Sequence, residues 1–172
     1  IRTDRAAYRL PAELIRIDAV SSRFGAEADP ADIRIVIEIA APTDEALKAA
    51  EQAAFAGGYE IVAPPLSFTV RAVYGDRSVE VTAFDAYVER LAAIPDGVDP
   101  NRITTGVAME ADGTVRHVPT RVVFLEGRYY AVINSLTNSA YAVIWNPLQF
   151  SDAAGHWAEH AVNDMGSRLV VG

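Results

Sequence analysis

The residues of this chain best suited to chemistry lie close together in HWAEH, where His156 and His160 flank Glu159. On one continuous helix, imidazoles at i and i+4 share a face, and two of them can hold zinc beside a glutamate acting as general base. Such a site also needs a carboxylate ligand from a later helix, and only twelve residues follow His160. Trp157 sits inside the same stretch and belongs to an apolar series rather than to a wet metal cleft. A pattern with three fixed positions in five also arises readily by chance. The stretch is therefore read as a helix surface carrying incidental histidines. No metal, no cofactor and no enzymatic activity are expected.

The remaining candidates are scattered. His117 alternates with Arg116 in a strand and reads as a solvated or edge residue. Asp96, Asp99 and Asp112 fall in turns, where aspartate is favoured for bonding its own backbone. Asp96-Gly97-Val98-Asp99 lacks the alternating ligands of a calcium loop, so a weak calcium site is the lesser reading there. Tyr129, Tyr130 and Tyr141 suggest a sugar-stacking platform, but neighbours in a strand point to opposite faces, which favours core packing. No phosphate-binding glycine loop and no nucleophile elbow is present.

These residues are positioned by a chain of 172 residues, half of them apolar, which is enough for one packed domain with an appendage. The net charge of −8 opposes binding to nucleic acid or to anionic lipid. No segment approaches the roughly 20 apolar residues of a membrane helix. Without cysteine, neither a disulfide framework nor a thiolate metal site can form. Ile1 at the start and the apolar Leu169–Gly172 run at the end read as the limits of a piece of something larger.

Periodicity sets the elements. Ile33, Ile35, Ile37 and Ile39 alternate with Arg34, Val36, Glu38 and Ala40, a strand signal of period two. Thr43 or Asp44 opens a helix that stops at Gly57-Gly58. Short strands follow over 59–63, 66–74, 78–83, 87–94, 103–110, 114–118, 121–125, 128–133 and 140–145. Turns at Gly75-Asp76, Asp112-Gly113 and Glu126-Gly127 suit tight hairpins. From Ser151 a helix is expected, with Asp152 as N-cap and an apolar stripe of Trp157, Ala161, Met165 and Leu169. The expectation is a mainly β chain: an antiparallel β-sandwich with one inserted helix over 1–147, and a C-terminal helical stub over 148–172.

FSDAAGHWAEHAVNDMGSRLVVG, residues 150–172, resembles the first half of an S-layer homology (SLH) repeat. Phe150, Asp152, Gly155, His156, Trp157, Ala158, Ala161 and Gly172 carry the likeness. Ser167-Arg168 departs from it by standing where the family places a glycine, with Gly166 two residues early. The resemblance implies that Asp152 caps the helix and Trp157 anchors it in a helical bundle. It also implies a truncated repeat, since the Thr-Arg-Ala-Glu segment associated with binding cell-wall polymer is missing.

Residues 103–145 resemble the β module that precedes such repeats in Gram-positive surface proteins, and loosely resemble ZU5 or GAIN-type sandwiches. Some of those cleave themselves before a Ser or Thr near the last strand, which here points to Leu136-Thr137 or Asn138-Ser139. No histidine directly precedes either, so an ordinary turn is preferred. The implied function is a non-catalytic spacer module of an extracellular, wall-anchored protein, touching secondary cell-wall polymer only through complete SLH repeats. A carbohydrate-binding module and a self-cleaving domain are the alternatives. An uncovered C-terminal stripe is expected to find cover, by folding back on the sandwich or by forming a homodimer through that helix.

Overall fold

A computed structural model describes residues 1–25, 28–110 and 114–171 of the chain. Two antiparallel sheets face one another. The first contains β1 (Ala6–Arg9), β5 (Ala83–Ala93), β9 (Arg128–Thr137) and β8 (Thr120–Leu125), in that spatial order. The second runs β2 (Arg34–Ala40), β3 (Glu60–Tyr74), β10 (Ala140–Trp145), β6 (Thr105–Met109) and β7 (Val115–Val118). A short β4 (Arg77–Glu80) also pairs with β3. The architecture is the β-sandwich that the alternating pattern implies.

The core lies where the alternating apolar positions of the two sheets meet. Tyr8, Val88, Ala131 and Ile133 approach from one side, and Phe68, Val70, Ala72, Tyr141 and Val143 from the other. Each fully buried side chain of this size contributes about 1.5–3 kcal/mol. Exposed ion pairs such as Arg16–Asp85 and Arg71–Glu38 contribute at most about 1 kcal/mol each. Apolar burial therefore holds the sandwich together.

Three helices complete the fold: α1 (Ile17–Ser22), α2 (Asp44–Gly57) and α3 (Glu159–Ser167). Helix α2 begins where the Thr43 hydroxyl accepts the Ala46 N–H and ends at Gly58, in the left-handed region at φ 69°. Its Ala50 and Ala54 pack with Tyr59 on Val107, Met109, Ala142 and Ile144, making a third layer on the outer face of the larger sheet. The β8–β9 hairpin turns on Glu126 and Gly127, at φ 52° and 80°, as a two-residue turn of primed type requires.

Three expectations need correction. Pro64-Pro65 does not separate two strands, because β3 runs through it for 15 residues. The β2 pairing covers only residues 67–73 of β3, and the β10 register slips around the prolines. Their missing N–H groups thus fall beyond one neighbour and at an irregularity in the other. Strand β9 continues past Ile133 to Thr137, because Asn134 and Ser135 keep the ladder while breaking the apolar alternation. The C-terminal helix starts at Glu159, not near Ser151. Asp112 and Gly113, expected to form a hairpin turn, lie outside the described residues.

Candidate functional site

The HWAEH stretch straddles a structural boundary. Residues 151–153 form a single 3-10 turn, Gly155 takes φ 75°, and α3 begins only at Glu159. His156 therefore precedes the helix, and its Nδ1 accepts the Ala158 N–H at 3.2 Å. Glu159 Oε2 accepts the Gly155 N–H at 2.8 Å, so the carboxylate ties the incoming turn to the first helical residue. The i, i+4 geometry that would place both imidazoles on one helical face is not formed. Among the described residues, no three His, Asp or Glu side chains gather as a metal-ligand group.

Asp152 does not cap α3. The N-cap position is Ala158, which makes no side-chain cap bond, and Asp152 lies in the earlier 3-10 turn. Trp157, expected to anchor the helix, is 91% exposed and stacks at a tilt on His156. Ala161 and Met165 are exposed as well. Leu169 follows the helix at φ 60° and packs with the Val107–Ile144 cluster. The proposed stripe thus divides into an outward series and one inward anchor. Gly172 lies outside the described residues.

A different face of α3 packs on residues 146–150, the segment that leaves β10. The ring of Phe150 lies against Gly166, so closely that a Cβ at position 166 would overlap it, and Leu148 adds a second contact. Leu148 N–H donates to Ser167 Oγ at 2.9 Å, Asn146 Nδ2 to the Ser167 carbonyl at 3.0 Å, and Phe150 N–H to Asn163 Oδ1 at 2.8 Å. Gly166 departs from the SLH pattern in sequence, and here it is the point of closest approach. Beside this joint lies a polar cleft of about 630 Å³, bordered by His156, Trp157, His160, Asn163, Asp164 and Asn101.

His117 lies on the edge strand β7 but is not a freely solvated side chain. Its Nδ1 is 3.1 Å from Thr105 Oγ1, which also donates to the Val118 carbonyl. Burial, aided by the Arg168 guanidinium at the end of α3, holds the imidazole below its ordinary pKa of 6.5. Asp99 caps a short turn by accepting the Asn101 N–H at 2.9 Å, as its turn context suggested. The tyrosines form no shared platform: Tyr130 and Tyr141 are 7% and 2% exposed. Tyr129 is 42% exposed and packs at 56° on Phe124.

The region proposed for self-cleavage is held around a side chain the motifs passed over. Arg90 is fully buried. Its Nη2 donates to the Thr137 carbonyl at 2.6 Å and to Asn138 Oδ1 at 2.9 Å, and its Nη1 donates to the Val88 carbonyl at 2.8 Å. The guanidinium lies 4.9 Å from the centre of the Tyr8 ring and 5.0 Å from that of Tyr141. Burial pushes the Tyr8 hydroxyl up to about 12. Asn138 Nδ2 donates to the Val81 carbonyl, and Ser139 Oγ to the Met109 carbonyl at 2.9 Å. The hydroxyl of Thr137 meets that of Ser135 at 3.2 Å, so neither candidate hydroxyl is aligned on a histidine. The arrangement is a polar clamp on the β9–β10 turn.

Comparison with protein-family models, curated proteins and solved structures finds no significant match to this chain. No family is shown.

Proposed function

We propose that this chain is a non-catalytic structural module of a bacterial cell-surface protein. It acts as a spacer that fixes the direction in which an SLH repeat leaves the β-sandwich. The observation that carries this reading is the two-sided character of α3. One side is bonded to residues 146–150, the segment leaving β10, through Asn163, Gly166 and Ser167, while Met165, and Trp157 just before the helix, face outward. An exposed tryptophan at the entry to a fixed helix is poorly accounted for in isolation, but well placed to receive the next helix of a bundle. In this reading the sandwich transmits force and orientation, and the polymer-binding residues belong to complete repeats elsewhere in the parent protein.

The reading is tested by incubating the purified chain with isolated Gram-positive cell wall bearing secondary polymer. A protein with complete SLH repeats serves as the reference. This chain should remain in the supernatant while the reference is retained. Retention of residues 1–172 with the affinity of the reference would defeat the proposal, because it would place the polymer site within these residues.

A further inference from the structure

Strand β2 is the outer strand of the six-stranded sheet, and its pairing runs along β3 alone. The direction of its unpaired backbone groups follows from β3. The Val70 carbonyl accepts the Val81 N–H, and the Phe68 N–H donates to the Ser139 carbonyl, so both residues turn their polar groups away from β2. Val70 and Phe68 stand opposite Ile37 and Ile39. In an antiparallel ladder, residues facing each other either bond mutually or both point away. Ile35, Ile37 and Ile39 therefore direct their N–H and C=O groups into the open edge, and extended Ile33 continues the series. The Ile33 N–H is taken by the Pro30 carbonyl at 3.3 Å, and among the described residues nothing else bonds to the edge groups of Ile35, Ile37 and Ile39.

The same segment is self-complementary. An antiparallel two-fold axis at Val36 sets Ile33 opposite Ile39 and Ile35 opposite Ile37. Ile35 and Ile37 then exchange both bonds, and the Ile39 N–H meets the Ile33 carbonyl. On the outer face the same axis sets Arg34 opposite Glu38. Among the described residues Arg34 has no ion-pair partner, and Glu38 is held by Arg71 through one carboxylate oxygen only. The four isoleucine side chains, packed on the core yet only partly buried, would gain cover from their counterparts. Shifting the axis by one residue in either direction sets Arg34 opposite an apolar residue, Val36 or Ala40.

We infer that β2 pairs with β2 of a second copy about a two-fold axis at Val36, joining two six-stranded sheets into one. The interface is isologous, so every pair occurs twice and each substitution acts twice. Charge complementarity selects this register, which is independent of any polymer bound elsewhere.

The chain lacks cysteine, which makes site-specific cross-linking clean. Val36 would meet its own copy at a non-hydrogen-bonded position, where Cα atoms are about 4.5 Å apart and a disulfide can close. Under mild oxidation of a dilute sample, V36C should form a covalent dimer. F55C, on an exposed position of α2, supplies the collision rate. In sedimentation, the unmodified chain should show a monomer–dimer equilibrium. R34E, which sets two carboxylates opposite each other, should weaken it about tenfold while leaving the thermal melt unchanged. W157A should have no effect. The inference is overturned if the unmodified chain is monomeric at all concentrations, or if V36C cross-links no faster than F55C. A dimer that resists R34E but dissociates with W157A also overturns it, and assigns association to α3.

Discussion

Arg90 shows how a single residue determines what surrounds it. A fully buried guanidinium without a carboxylate partner is tolerated only because backbone carbonyls, Asn138 and two aromatic faces share its charge. Arg90→Met keeps much of the volume but strands the acceptors, so it should cost roughly 2–4 kcal/mol in urea unfolding. A loss below about 1 kcal/mol would mean that the clamp is dispensable. In the sequence Arg90 stands between Val88 and Ala92 at period two, and that was the available signal. It went unused because charge on an inward position is expected to end a strand rather than to organise one. HWAEH, by contrast, drew notice for its letters, while the backbone separates its two histidines across a helix start.

Elements follow the sequence where one face is apolar and the chain punctuates itself. The isoleucine alternation of β2, the Thr43 and Gly58 limits of α2 and the Glu126-Gly127 hairpin are all of this kind. Where pairing partners rather than residue types decide, as through Pro64-Pro65, local pattern misleads. The onset of α3 belongs with these, because Asp152 has the chemistry of a cap while Gly155 has the backbone that turns the chain. The α3 joint also carries a titratable group. Since the fold holds His117 below 6.5, the folded state binds fewer protons than the unfolded chain in the window beneath that value. Its contribution is complete above pH 6.5 and is lost as pH falls through the lower folded pKa. Thermal melts from pH 7.5 to 5 should show a smaller acid loss in His117→Gln than in the parent. Equal slopes would remove His117 as a determinant.

At the scale of the whole molecule, two regions of different resistance are expected. The sandwich has a buried core contributed by both sheets, whereas α3 is nine residues long and is secured by a few bonds and the Phe150 ring. Gly166→Ala should release the helix, since the ring can give way only by leaving its seat. Hydrogen exchange should rise across 159–167 and stay unchanged in 128–145. Loss of protection in both regions together would show that the joint and the sandwich form one cooperative unit.

The Arg90 clamp also bears on how the chain reaches this state. The guanidinium gathers groups from β1, β5 and the β9–β10 turn, which are separated by as many as 130 positions along the chain. Either sheet formed alone leaves the cation in water at no cost. Docking the sheets before the turn closes would strip its hydration and return little. A sandwich docked with that turn open would therefore bury a cation whose charge is unshared, the costly arrangement that closing the turn relieves.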